Sequence, residues 1–165
     1  MKRYIKSAVI LPNDEPEDTR FSWAVSSTDS RLLKELANDP SVNNRTMLAY
    51  NINCPPEVLA QLSTDPEMSV RYEVAMNPNT PEEVLSQLLH SPDADTSLYN
   101  RLIKNNNISD DLLLELSYVN DRHALVKLLQ MKGDRLPIER LKELLNHGDG
   151  QVAYWASYVL RNCFD

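Results

Sequence analysis

His90, His123, His147, Cys54, Cys163 and a spaced set of arginines are the residues of this chain with the side chains to ligate, attack or bind an anion. The histidines stand far apart, with no His-Glu-x-x-His or comparable ligand spacing, and there is no glycine-rich phosphate loop and no Gly-x-Ser-x-Gly. Each histidine therefore reads as a surface or helix-end residue. Cys54 and Cys163 make neither a disulfide framework nor a zinc site, so reduced thiols are expected. Cys54 occupies the place Thr80 takes 26 residues later, which makes it a substitute at a helix-cap position. The alternative is a reactive thiol activated by the helix dipole. Arg20, Arg45 and Arg71 form either a ladder that meets phosphates or carboxylates, or a set of staples bonded to Asp39, Asp65 and corner carbonyls. The staple is preferred, because a planar side chain with several donors recurs in phase with aspartate. No catalytic residue, metal ligand or cofactor is expected.

The elements that must position these side chains are repeats. Leu33, Leu59 and Leu85 are spaced by 26 residues, as are Leu36, Leu62 and Leu88, and the same step relates Asp39 to Asp65, Pro40 to Pro66, Arg45 to Arg71 and Asn51 to Asn77. A fixed period of this size marks units that bury their apolar faces by stacking on neighbours. Within one unit, Thr80 supplies an N-cap hydroxyl, Pro81 takes the first helical position and Glu83 completes a capping box. Val84, Leu85, Leu88 and Leu89 then give the apolar side of that helix. Asp65 and Pro66 repeat the device for a second helix, whose buried side is Val70, Val74 and Ala75.

The motif Asp-Pro-x-x-x-Val-Arg-x-x-Val-Ala-x-Asn-Pro-x-Thr-Pro-x-x-Val-Leu, clear over residues 30–90, resembles the leucine-rich repeat variant family, helical solenoids akin to HEAT repeats. The resemblance implies a right-handed superhelix that binds another macromolecule. Some members carry a cysteine-rich iron–sulfur segment ahead of the repeats; this chain shows none, so that cofactor is not carried over. The pattern decays after Ser91. Asn105 stands 28 residues beyond Asn77, and Leu113 and Leu116 lead to Leu141 and Leu144 at a step of 28. The expected fold is an all-α, right-handed α-solenoid of short two-helix repeats with a period of 26 to 28 residues. Residues 1–18 form an N-terminal extension or cap and residues 19–165 a single helical-repeat domain. Further helices are expected over residues 40–50, 56–62, 121–131, 137–146 and 151–162, with Ser109 capping another. Loss of the Asp and Arg phase after Ser91 predicts a looser junction there.

With 24 Asp and Glu against 17 Lys and Arg, the net charge is −7, which argues against general affinity for nucleic acid or an anionic membrane. No stretch approaches the roughly 18 apolar residues of a membrane span, and residues 1–11 are too short and mixed for a secretory signal, so a cytoplasmic protein is expected. Positions outward of Val70 and Val74 include Tyr72, Glu73 and Met76; the repeat steps add Met47, Tyr50, Asn100, Arg101 and Lys104. Tyr154, Trp155 and Tyr158 continue the register, with Trp155 equally suited to packing under the C-terminal end. Such residue types are enriched at protein contacts. A non-catalytic protein-binding module is the preferred reading, with Met47, Tyr50, Tyr72, Met76, Arg101, Lys104, Tyr154, Trp155 and Tyr158 as the binding stripe. Asp39, Arg45, Asp65, Arg71, Asn77 and Thr80 are the structural residues of the repeat. The opening MKRYIKS is similar to the start of phage and mobile-element proteins. The first rival is thus an inhibitor or decoy from such an element, including a nucleic-acid mimic, and clustered acidic residues would favour it. The second is a HEAT-like nucleic-acid enzyme, since HEAT-like solenoids include DNA glycosylases; it requires a groove lined by Arg20, Arg45, Arg71, Arg101 and Lys104 around a carboxylate.

Overall fold

A computed structural model describes residues 14–164. Of the expected N-terminal extension or cap, residues 1–18, residues 1–13 lie outside them, and Glu17 and Asp18 open the first helix. The described chain is all-helical: α1 (Glu17–Ser26), α2 (Ser30–Leu36), α3 (Val42–Tyr50), α4 (Pro56–Leu62), α5 (Met68–Met76), α6 (Glu82–Leu89), α7 (Thr96–Lys104), α8 (Asp110–Leu116), α9 (Arg122–Lys132), α10 (Ile138–Leu144) and α11 (Gly150–Cys163). The helices are short because corner residues interrupt them about every ten positions. Each odd-numbered helix packs against the next odd-numbered one, and the even-numbered helices join them. Leu33, Leu36, Leu59, Leu62, Leu85, Leu88, Leu113, Leu116, Leu141 and Leu144 of the even helices are all buried. They meet Leu48, Ala49, Val74, Ala75, Leu102, Ile103, Leu128 and Ala156 of the odd ones in one continuous core. A helix this short makes few internal hydrogen bonds, so burial of these side chains rather than helix propensity holds it in place.

The corners differ from the expected capping. Helix α6 starts at Glu82, and Thr80, instead of capping it, donates its hydroxyl back to the Val74 carbonyl at 2.6 Å. That bond adds a second donor, beside the Asn77 amide, to a carbonyl at the end of α5, and Thr80 is buried beneath the corner. The Glu83 capping box therefore does not form. Asp65 stands three residues before α5 begins, does not cap it, and accepts the Glu67 amide at 3.0 Å while its other oxygen bonds Arg45. Side-chain caps occur at α2, where Asp29 accepts the Arg31 amide at 3.0 Å, and again later in the chain. Asp95, Ser109 and Asp121 accept the amides of Leu98, Leu112 and Ala124 at 2.8, 3.1 and 2.9 Å. Asp149 caps α11 through Gln151 and Val152.

Two periodic polar series join successive units. Asn77 donates its side-chain amide to the carbonyls of Ala49 and Asn51, at 2.6 and 2.9 Å, and accepts the Asn79 amide at 2.9 Å. Asn51 does the same with Ala24, Ser27 and Asn53. Asn105 does so with Ala75, Asn77 and Asn107. All three asparagines are buried, so each satisfies helix-end carbonyls that water cannot reach. The arginine series runs beside them. Arg20 Nε and Arg45 Nε each lie 2.7 Å from Asp39 and Asp65, and Arg71 bonds Asp93. Arg45 also donates to the Asp39 carbonyl at 2.8 Å, and Arg71 to the Asp65 carbonyl at 2.5 Å.

At the junction after Ser91 the arginine–aspartate pair is kept, with its carboxylate far more exposed than Asp39 or Asp65. Two residues are inserted, so the aspartate moves from the position of Ser91 to Asp93 and still meets Arg71. Helix α7 packs on α5, and α9 on α7, as their predecessors do. The asparagine series ends at Asn105. Its counterpart 26 residues on is exposed Met131, and α9 runs past it to Lys132 before a 3-10 turn over Gly133–Arg135.

Candidate functional site

The odd helices present three side-chain columns, ranging from half-buried beside the core to exposed. In helical phase they read Thr46, Tyr72, Asn100, Val126, Tyr154; Met47, Glu73, Arg101, Lys127, Trp155; and Tyr50, Met76, Lys104, Gln130, Tyr158. All nine residues of the expected stripe fall in these columns, although they differ in availability. Tyr50, Met76, Lys104, Tyr154 and Tyr158 are exposed. Met47, Tyr72 and Trp155 are half-buried against the core. Tyr72 donates its hydroxyl to Asp95 at 2.7 Å, and Arg101 lies over the Tyr72 ring while donating to Glu73 at 2.6 Å. Tyr72 and Arg101 thus join α5 to α7, and substituting them perturbs packing as well as surface. Trp155 makes edge-to-face contacts with Tyr154 and Tyr158, centroids 5.6 and 5.3 Å away. It combines both sequence-level readings, with one side on the core and the other among the exposed tyrosines.

The stripe has a basic middle that sequence reasoning missed. A groove of about 300 Å3 between α7, α9 and α11 is lined by Asn100, Lys104, Arg122, His123, Val126, Lys127, Gln130 and Gln151. A step of 28 carries Arg101 to Leu129, which is buried, whereas the α7 to α9 step returns to 26 and carries it to Lys127. The signal was present in Asp95 and Asp121, two helix caps 26 residues apart. Charge is sorted between the two helix sets. The odd helices carry nine Lys or Arg and three Asp or Glu; the even helices carry four and nine. The acidic extreme is α6 with α8, where Glu82, Glu83, Asp111 and Glu115 line a cleft of about 450 Å3.

The remaining sequence candidates are distributed without convergence. Arg20 and Arg71 are buried, and Arg45 has only 13% of its side chain exposed. All three point into unit junctions and line no groove with Arg101 and Lys104. Asp39 and Asp65 lose solvation on burial, which favours the neutral acid. The Arg20 and Arg45 guanidinium groups and the Ser41 and Glu67 amides outweigh that and hold both carboxyls below the usual carboxylate range. His90, exposed at the end of α6, approaches the Ser86 carbonyl at 2.8 Å. His123 lies in the basic groove, and His147 accepts the Asp149 amide at 3.0 Å.

Cys54 is fully buried and takes no exposed cap position. Desolvation, reinforced by the Glu57 charge, pushes its thiol up to about 12, the reverse of activation by a helix dipole. Cys163 is exposed. Among the described residues no group of three or more His, Cys, Asp and Glu has metal-binding geometry, and no helix is long and apolar enough to cross a membrane. Comparison with family models, curated proteins and solved structures produced no match.

Proposed function

We propose that the chain is a non-catalytic protein-binding module built as a right-handed α-solenoid, with the outer face of its odd-numbered helices as the contact surface. The observation that carries this reading is the alignment of the columns. Five successive odd helices put Tyr, Met, Trp, Lys and Arg on one side in register, above a core that needs none of their exposed atoms. Repeat proteins bind on such continuous faces because each unit adds the same positions again. The packing of each odd helix on the next and the 26 to 28 residue spacing support the solenoid. The motif of residues 30–90 supports kinship with leucine-rich repeat variants. Tyr50, Met76, Tyr154 and Tyr158 are exposed large side chains of types enriched at protein contacts.

Site-specific photocrosslinking tests this directly. A benzophenone amino acid replaces Tyr50 or Tyr154 on the proposed face, and replaces Tyr118, exposed after α8, as the control. One protein crosslinked from Tyr50 and Tyr154, and not from Tyr118, is the expected result. Equal yields from all three positions, or none from the first two, would overturn the assignment.

The acidic cleft favours a second reading, a decoy that presents carboxylates to a basic groove on another protein. Five carboxylates on α6 and α8, with no Lys or Arg on either helix, carry it. Crosslinks from position 83 alone would select it.

A further inference from the structure

We propose that the groove between α7, α9 and α11 binds an acidic segment of a protein partner, with Lys104, Arg122 and Lys127 meeting its carboxylates. This rests on the protein-binding reading above and adds the chemistry of what is bound. Helices α7, α9 and α11 carry six Lys or Arg and no Asp or Glu, in a chain where acids outnumber bases by 24 to 17. No carboxylate lines the groove. Arg101 is held by Glu73, and Arg122 lies 3.5 Å from Asp149. Lys104 and Lys127 have no carboxylate within ion-pair distance among the described residues. Cations gathered along one groove repel each other, and an arriving carboxylate removes that repulsion as well as forming charge-assisted hydrogen bonds. His123 and Gln151 add side-chain groups able to donate, while Val126 gives the groove an apolar patch for an aliphatic side chain.

The surroundings favour a peptide over a nucleic acid. The same molecule carries the acidic α6 and α8, and its net charge of −7 repels a long polyanion. A short segment feels only the local field, since screening confines charge effects to roughly 8–10 Å. Tyr154, Trp155 and Tyr158 pack edge to face on one another rather than offering parallel faces on which successive bases stack.

Fluorescence anisotropy with the full chain provides the test, using three labelled probes: a short Glu-rich peptide, its Gln counterpart, and a short single-stranded DNA of equal charge. The chain is compared with the Lys104→Gln, Lys127→Gln double variant and with a Glu82→Gln, Glu83→Gln control. Circular dichroism and sedimentation accompany each sample. The expected result is binding of the Glu peptide over the Gln peptide, weakened about tenfold or more in the lysine variant and by added salt, and not weakened in the control. Several outcomes would overturn the proposal: no Glu-peptide binding, equal affinity for both peptides, insensitivity to the lysine variant, or tighter binding of DNA. Salt-sensitive self-association lost in the lysine variant would make a second copy of the chain the occupant and overturn it too. Crosslinks from Tyr50 and Tyr154 without Glu-peptide binding would remove this inference and leave the protein-binding reading intact.

Discussion

Asn77 joins two units through two hydrogen bonds and makes a third within its own corner, and its replacement measures what the asparagine series contributes. In Asn77→Ala the Ala49 and Asn51 carbonyls lose a donor and the Asn79 amide loses an acceptor. At about 1 kcal/mol net for each bond, the loss is about 3 kcal/mol. The Asn51 carbonyl keeps the Cys54 amide at 2.9 Å, which limits the damage there. For a chain of this length the change lowers Tm by roughly 6–12 °C. The isosteric Asn77→Asp is the sharper probe, because it keeps the volume and replaces two N–H donors with a carboxylate facing two carbonyl oxygens. It should cost about 1–3 kcal/mol more than alanine at neutral pH.

The sign of its pH dependence follows from the same geometry. A carboxyl facing carbonyls holds its proton more tightly folded than unfolded, so its folded pKa lies above the unfolded value of about 4. The deficit against wild type is then full above the folded pKa and shrinks as pH falls through it toward the unfolded value. Thermal melts by circular dichroism across pH measure this. An aspartate variant no worse than the alanine variant, or one whose deficit ignores pH, would refute the view that the amide serves as a donor.

Two further outcomes follow from the packing. In Gly133→Ala the added Cβ meets Val159 Cγ2 at 2.7 Å, and Val159 is buried and stiff, so a loss of about 1–3 kcal/mol is expected. Adding Val159→Ala should recover part of it, and strictly additive denaturation free energies would show that the two sites do not couple. Asp39 and Asp65, whose carboxyls are held below their ordinary values, contribute stability that is present above the unfolded value near 4 and is lost as pH falls through the lower folded values. Urea titrations at acid pH should therefore show a shallower decline in Asp39→Asn and Asp65→Asn than in wild type, and parallel acid limbs would remove these residues from the account.

Much of the helix pattern was legible in the sequence because it follows from local causes. Proline at the corners and leucine at three-and-four spacing delimit α4 and α6 whatever lies around them, and Ser109 caps α8 using atoms three residues apart. The 26-residue echo likewise located the polar series of Asn51 and Asn77, since repeated contacts require repeated residues. Other features depended on partners distant in the chain. Thr80 has the residue type and spacing of a cap, and it turns instead toward the Val74 carbonyl, which has no i+4 donor because residue 78 is proline and otherwise accepts the Asn77 amide at 3.2 Å. Cys54 has the placement of an activated thiol, and only its packing removes it from solvent.

The groove shows the same division. Lys104 was visible as an outward residue, but Lys127, Arg122 and Gln151 join it only because α7, α9 and α11 pack side by side with repeat steps of 26 and then 28. Composition reported a net charge of −7, an average that conceals the sorting of bases onto odd helices and acids onto even ones. By itself the sequence determined the helices, their apolar faces and the residues that recur. The tertiary structure decided which polar groups are consumed in joining units and which remain on the surface, since hydrogen bonding and desolvation depend on neighbours that chain order does not supply.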